Sequence, residues 1–220
     1  MIGEKLNSKP EFVDKNISLY KFVSGPYDNN AYLIVCKQTN KSVIIDAPGD
    51  PHELISAAQS TDTEMMLITH NHWDHLLGYE EITSKFALRT GIGLKDAPGM
   101  MPRKPDFQIR DCETLSVGKI DIKAIHTPGH TEGSTCFLVN NILFTGDTLF
   151  PGGPGKSQSS DAFKTIIESI STKLLVLKPT IVFYPGHGLH GTIRNAKDDY
   201  SVFEKNCSSY EIQGDIEWLS

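Results

Sequence analysis

The chain of 220 residues has no CxxC pair, no long apolar run and no excess of basic charge, and each absence removes a class of protein. Its four cysteines, Cys36, Cys112, Cys136 and Cys207, are widely spaced, which excludes a thiolate zinc knuckle. Cys36 and Cys136 sit inside apolar strand-like runs, so the set reads as reduced thiols of a cytoplasmic protein. No stretch approaches the roughly 20 apolar residues that cross a bilayer, and no membrane partner is expected. Met1-Ile2-Gly3-Glu4-Lys5 lacks the basic-then-apolar pattern of a secretory signal. A net charge of −6 argues against a polyanion-binding surface, so no nucleic-acid partner is expected. Neither internal repeat nor low-complexity tract is visible, and 220 residues suffice for a single domain, 1–220, with its own core. Composition is silent on oligomeric state.

What the chain does hold is histidine concentrated in one place. His70-Asn71-His72-Trp73-Asp74-His75 packs four potential metal ligands into six residues, directly after the apolar run Met65-Met66-Leu67-Ile68-Thr69. A short buried strand that ends in imidazoles and a carboxylate delivers them to one rim of a sheet, where ligand sites of layered α/β folds form. His70 and His72, two apart, face the same side of an extended segment and can hold one metal. Asp74 and His75 open a helical-looking stretch to Phe86 and can be aimed at a second point. A solvated His-rich turn or a structural zinc clip would need only this window.

Three further segments argue against that. Each is a β-rich run ending in a potential ligand framed by small residues. Ile120–Ile125 leads to His126-Thr127-Pro128-Gly129-His130-Thr131, Asn141–Thr145 to Gly146-Asp147-Thr148, and Thr180–Tyr184 to Pro185-Gly186-His187-Gly188. Glycine lets the backbone turn sharply beside a ligand, and proline sets its direction. Summed, the chain offers His70, His72 and His130 for one metal, Asp74, His75 and His187 for another, and Asp147 as a carboxylate able to bridge them. Nitrogen and oxygen ligands without thiolate suit two catalytic divalent ions, Zn²⁺ first, with iron or manganese as alternatives.

Elsewhere, strands are expected at Ile17–Val23, Ala31–Cys36, Ser42–Asp46 and Ser134–Val139. Helices are expected at Pro51–Ser60, capped by Asp50, at Asp161–Leu177, capped by Asp161, and at Ile193–Lys205. Ile92–Pro105 and Phe150–Ser157, rich in Gly and Pro, read as surface loops near the site. Val202, Phe203, Trp218 and Leu219 are the apolar points of the closing segment.

The ordered set Thr69-His70-Asn71-His72-Trp73-Asp74-His75, Thr127-Pro128-Gly129-His130-Thr131, Gly146-Asp147-Thr148 and Pro185-Gly186-His187 resembles the metallo-β-lactamase superfamily. Within it the match is to the glyoxalase II-like (hydroxyacylglutathione hydrolase-like) branch, through Trp73 and through Thr192-Ile193 with Asn195. The resemblance runs from about Ile17 to Tyr200. It implies an α/β fold, an αββα four-layer sandwich of two mixed β-sheets flanked by helices, with metals along one edge between the sheets. It also places the ligand after Pro-Gly, so that His126 is expected to support a ligand or to pack rather than to bind metal. Asp46, ending a strand, is expected to accept a hydrogen bond from a ligating imidazole and fix its tautomer, or to shape a turn. Lys156, in Gly153-Pro154-Gly155-Lys156, stands where glyoxalase II carries a substrate-binding Gly-x-Gly-Lys segment, but Gln158 replaces the aromatic residue that follows there. His52 and His190 are given no role.

These features imply a metal-dependent hydrolase in which a hydroxide bridging two metal ions about 3.5–4 Å apart attacks a carbonyl. Asp74 and Asp147 would orient the nucleophile, and Asp74 would carry protons afterwards. A thiolate leaves without a strong acid whereas an amine does not, which orders the small-molecule substrates as thioester, then lactone or other ester, then β-lactam. Asp147 also stands where many metallo-β-lactamases use Cys. Only Ser201–Ser220 follow Tyr200, too few for a glyoxalase II-type C-terminal helical domain, and this points away from glutathione as the thiol. The short form also resembles persulfide dioxygenases, oxidoreductases with one iron on a triad that would here be His70, His130 and Asp147. Trp73 and the intact second set favour the hydrolase. A nuclease is disfavoured by the acidic pI of 5.7. A metal-stabilised non-enzyme is disfavoured because seven ligands exceed structural need.

Overall fold

Leu19, Ile34, Val43, Met65 and Leu67 point one way from their strands and Leu33, Ile44, Met66 and Ile68 the other, and both sets are buried. Strands apolar on both faces need cover on both sides, and that requirement sets the architecture. The protein is described here by a computed structural model over residues 9–207 and 209–219.

The first sheet runs in sequence order through β1 (Phe12–Val13), β2 (Ile17–Ser24), β3 (Asn29–Cys36), β4 (Lys41–Ile45), β5 (Asp62–Ile68), β6 (Arg89–Gly93) and β7 (Phe107–Ile109). It is antiparallel from β1 to β4 and parallel from β4 to β7. The second begins with β8 (Thr114–Val117), β9 (Ile120–His126), β10 (Thr135–Val139) and β11 (Ile142–Gly146), antiparallel throughout. A small ribbon, β12 (Leu149–Phe150) with β13 (Gly153–Pro154), interrupts it. β14 (Val182–Pro185) then returns parallel to β11, and β15 (Gly191–Thr192) closes the edge. The two mixed sheets pack face to face through Ile34, Val43 and Leu67 against Ile122, Phe137 and Phe144.

Helices cover the outer faces. α1 (His52–Ala58) and α2 (Tyr79–Lys85) bury Leu54, Ile55 and Ile82 on the first sheet. α3 (Ser160–Ser169) and α4 (Ile193–Asn206) bury Phe163, Ile166, Ile193 and Phe203 on the second. The result is the expected αββα sandwich. Among the described residues no helix is long and apolar enough to cross a membrane.

Several local expectations are corrected. Asp161 does not cap α3; the Ser159 hydroxyl does, accepting from the Ala162 N–H at 3.1 Å. Asp50 does not cap α1 but adopts φ 53° and pairs with His52. The stretch 74–86 is not one helix. A tight turn at Trp73–His75 is separated from α2 because the Ala47 N–H bonds the His75 carbonyl at 3.0 Å and the Gly78 N–H bonds the Ala47 carbonyl at 2.8 Å. That pair pins the turn to the end of β4 and aims His75 inward. Residues 92–105 are not a plain surface loop, since Ile92, Asp96, Ala97 and Met100 are buried. The loop expected at 150–157 contains the β12–β13 ribbon.

At one edge the sheets are stitched together. The Tyr32 hydroxyl and the Asn30 amide donate to the Pro185 carbonyl at 2.6 and 2.9 Å, and the Asn30 N–H donates to the Gly186 carbonyl at 2.7 Å. The Thr135 N–H reaches the Thr69 carbonyl at 2.9 Å. This is the edge at which the histidines gather.

Candidate metal centre

Every segment that ends in a potential ligand ends at that edge. His70 and His72 follow β5, His130 lies in the turn after β9, Asp147 follows β11, and His187 follows β14. His70 Nε2 and His130 Nε2 lie 3.1 and 2.9 Å from His72 Nδ1. Three imidazole nitrogens so placed present lone pairs to one point, close to the spacing of about 3.3 Å between nitrogens on a tetrahedral ion with 2.0–2.1 Å bonds. Asp74, His75 and His187 form a second group, with Asp74 Oδ2 3.7 Å from His75 Nε2 and 3.4 Å from His187 Nε2. The His75 and His187 ring centroids are 5.3 Å apart. Within each group, the ligand atoms all lie within 4.8 Å of one another.

Asp147 stands between the groups. Its Oδ1 is 3.5 Å from His75 Nε2, and its Oδ2 is 3.6 Å from both His130 Nε2 and His187 Nε2. Asp147 Oδ1 and His75 Nε2 are buried with no hydrogen-bond partner. Buried atoms of this kind are costly unless a cation or proton meets them, so the donor set fits resident metal ions. Gly186 is required here, because a Cβ at that position would collide with Asp147 Oδ1 and the His75 ring.

The surroundings fix which nitrogen of each ring faces inward. His130 Nδ1–H donates to the Lys156 carbonyl at 2.8 Å, and His187 Nδ1–H to the Tyr27 carbonyl at 3.0 Å. His75 Nδ1–H donates to Asp46 Oδ2 at 3.0 Å. His70 Nδ1–H donates to the Thr69 hydroxyl at 3.0 Å, which passes its own proton to Asp46 Oδ2 at 2.8 Å. The Thr69 N–H completes the hub on Asp46 Oδ1 at 2.7 Å. Each of these four rings thereby keeps its Nε2 lone pair for the centre, and one carboxylate orients a ring in each group.

The electrostatics follow. Burial and the crowd of neighbouring imidazoles push the His70 pKa well below its ordinary value, which keeps the ring neutral. Burial and His130 lower His72. Burial opposes charge on His75, but Asp46 and Asp147 outweigh it and hold its pKa well above the ordinary value. His187 is likewise raised, because Asp74 outweighs burial. Burial would raise Asp74 and Asp147, yet the neighbouring His187 ring and the Asn29 amide beside Asp74, and the His75 ring beside Asp147, hold both carboxyls below the usual range.

The remaining candidates fall in different places. Asp46 lies against the His75 ring, with Oδ2 3.0 Å from Nδ1. The His126 ring bonds the Glu132 carbonyl at 2.8 Å, closing the turn that carries His130. Lys156 has an exposed side chain, and its contact with the centre is its carbonyl. His52 pairs with Asp50 and Glu81, and His190 with Glu11. Sequence reasoning missed Asn29, which donates to Asp74 Oδ2 at 2.8 Å. It also missed Asp96, which is 1% exposed and accepts from the Asn71 N–H, the Thr131 hydroxyl and the Gly133 N–H. Asp96 thus ties the first histidine segment to the turn bearing His130. An Asp inside an apolar stretch that also carries Ala97 and Met100 was the available signal.

Comparison with known proteins agrees with this geometry. A family model described as the metallo-beta-lactamase superfamily matches residues 24–187. "Probable hydroxyacylglutathione hydrolase glo2" of Schizosaccharomyces pombe is 35% identical over 189 residues, covering 81% of this chain and 70% of that protein. The cytoplasmic hydroxyacylglutathione hydrolase of Arabidopsis thaliana is 32% identical over 203 residues, covering 87% and 74%. Among solved structures, TTHA1623 in a di-iron-bound form superposes with a TM-score of 0.70 at 25% identity, covering 80% of this chain and 96% of that one.

Proposed function

Since the chain belongs to the metallo-β-lactamase superfamily and is a metallo-hydrolase, we propose that it cleaves a small-molecule thioester, or a related ester or lactone, at a centre of two divalent ions. The observation that carries this reading is the assembly of two ligand groups about one shared carboxylate, Asp147. His70, His72 and His130 would hold one ion and Asp74, His75 and His187 the other. Zn²⁺ suits the nitrogen-rich set best. A mononuclear iron centre would leave the assembled Asp74/His75/His187 group without use, and this favours the hydrolase. The free cysteines fit a reducing, cytoplasmic setting.

When bound, the ions supply an activated water and a Lewis acid for the carbonyl oxygen. The protein supplies orientation. Asn29 holds Asp74 Oδ2, and Asp147 reaches towards both groups, so the two carboxylates can accept hydrogen bonds from an attacking water and aim its lone pair. Water oxygen bonds to the acyl carbon, the carbon–sulfur bond breaks, and the thiolate leaves with the electron pair. The water proton passes to Asp74 and then to solvent. The Nδ1 protons of His70, His75, His130 and His187 are committed to oxygens, which leaves these rings poor donors to an amine. A thiolate, with a pKa of about 8.5, needs no such donor.

Metal analysis of protein purified without added metal, paired with turnover assays, tests the proposal. Two ions per chain with hydrolysis of S-lactoylglutathione or a simpler thioester is the expected result. One iron with oxygen uptake on glutathione persulfide would replace it. S-Lactoylglutathione is expected to show a high KM with kcat retained, because binding shared by ground and transition states is what the exposed Gln158, in the place of an aromatic residue, fails to supply.

A further inference from the structure

His72 differs from the other histidines of the centre in how its ring is held. His70, His75, His130 and His187 each spend Nδ1–H on an oxygen. His72 instead presents Nδ1 to the rings of His70 and His130, and among the described residues its Nε2 bonds nothing. An imidazole that binds through Nδ1 lies close to its own main chain, so the backbone decides where the lone pair points. Asp96 holds that backbone. The Asn71 N–H, between His70 and His72, donates to Asp96 Oδ2 at 3.0 Å, and the Asn71 amide donates to the Asp96 carbonyl at 3.4 Å. Gly99 makes room for this contact, since a Cβ there would collide with the Asn71 amide.

The same carboxylate holds the turn that carries the third ligand of that group. The Thr131 hydroxyl, directly after His130, donates to Asp96 Oδ2 at 2.7 Å, and the Gly133 N–H donates to Oδ1 at 2.7 Å. A Cβ at Gly133 would collide with Asp96, so only glycine lets the turn come this close. Burying a carboxylate is costly unless its hydrogen bonds are made, and Asp96 spends all of its own beside His70, His72 and His130. The other group is pinned by different partners. His75 is fixed by Asp46 and the Ala47 backbone, Asp74 by Asn29, and His187 by the Tyr27 carbonyl. Closure of the two sheets does not depend on Asp96 either, because the bonds from Thr135 to Thr69 and from Tyr32 and Asn30 to Pro185 join them independently.

We propose that Asp96 is a positioning residue that sets the affinity of the His70/His72/His130 group for its ion and leaves that of the Asp74/His75/His187 group unchanged. This rests on the two-ion reading above and assigns control of one ion to one buried carboxylate. Asp46 differs, since it orients a ring in each group.

The test is competition between zinc-loaded protein and a chelator, read as ions retained per chain. In Asp96→Asn one ion is expected to be held about 10- to 100-fold more weakly while the other keeps its affinity. Thr131→Val, which deletes a single donor, weakens the same ion by less, and Thr131→Ser, which keeps the hydroxyl, restores it. Double variants identify the ion. Adding His72→Ala to Asp96→Asn leaves the tightly held ion in place, whereas adding His187→Ala releases it. The reverse pattern, equal weakening of both ions, or unchanged affinity for both overturns the proposal while the two-ion reading stands. If Asp96→Asn does not fold, Thr131→Val decides, and wild-type retention of both ions in that variant overturns the proposal. A single ion per chain in the unmodified protein would instead sink the two-ion reading, and this proposal with it.

Discussion

Asp46 and Lys156 both orient rings of the same cluster and are held in opposite ways. Asp46 is 1% exposed, has φ 62°, and spends its carboxylate on Thr69 and His75. Lys156 is exposed, and what it gives the cluster is a backbone carbonyl that any residue could provide. The ligand frame is therefore written in buried side chains that cannot change independently. Lys156 and Gln158, by contrast, are exposed side chains on a backbone that the frame holds in place. Chemistry and recognition are separable in this molecule, and a chain can keep the first while altering the second.

The largest effect expected on the frame is at Asp147. Asp147→Asn keeps the shape but removes the charge facing both groups. Metal content should fall towards one ion per chain and hydrolysis by more than about 100-fold, the upper end of what outlying partners cost. Near-normal turnover with two ions retained would show that Asp147 does not bridge. Asp46→Asn comes next. It touches no proposed ligand atom, yet it should weaken metal affinity by about 10- to 100-fold in both groups, since the carboxylate orients His75 directly and His70 through Thr69. Competition with a chelator measures this, and loss confined to one group would break the claim that Asp46 serves both.

The metal-free frame should also carry a pH signature. His75 and His187 have raised pKa values in the fold, so their contribution is full below about 6.5 and is lost as pH rises through the folded values. His70 and His72, with lowered values, cost stability as pH falls below about 6.5, and Asp74 and Asp147 add to that loss as pH drops below about 4. Melting temperature after chelation should therefore peak between about pH 6 and 7. A value that climbs steadily from pH 6 to 9 would contradict the charge assignments. The smallest effect is expected from Lys156→Ala. Because the His130 contact uses the backbone, metal content should hold, and KM for anionic thioesters should rise by only about two- to fivefold. Loss of metal in this variant would mean that the side chain supports the frame after all.

What could be read from the sequence divides along the same line. His70, His72, Asp74, His75, His130, Asp147 and His187 each sit in a short motif immediately after a strand, where local chemistry alone marks them. Asp46 was readable as a candidate because it ends β4, a strand two segments before the histidines. Asn29 and Asp96 were not, because their roles exist only where chain crossings bring residues some 45 and 25 to 37 positions away into contact. Asn29 and Asn30, a polar pair opening an apolar strand, were a readable signal of buried hydrogen bonding. The helix stretch 74–86 failed for a similar reason. Its break at Gly78 depends on the Ala47 backbone, which no helical periodicity can report. The segment 209–219 showed its apolar points, but not that Gly214 and Trp218 would bond Ser157 and Gly152.

The division of the centre between the two sheets has a consequence for how the protein comes into being. His70, His72, Asp74 and His75 belong to the first sheet's portion of the chain, and His130, Asp147 and His187 to the second. During synthesis the first portion emerges with two of three members in each group. Neither group is complete, and no bridge exists, until the second sheet closes over the edge where Tyr32, Asn30 and Thr69 meet it. An ion acquired early would be weakly held until closure brought the last proposed ligand, so its binding energy would become energy of sheet docking. Metal supply in the cell would act on this protein as any ligand of the native state does, favouring the closed sandwich over its open halves.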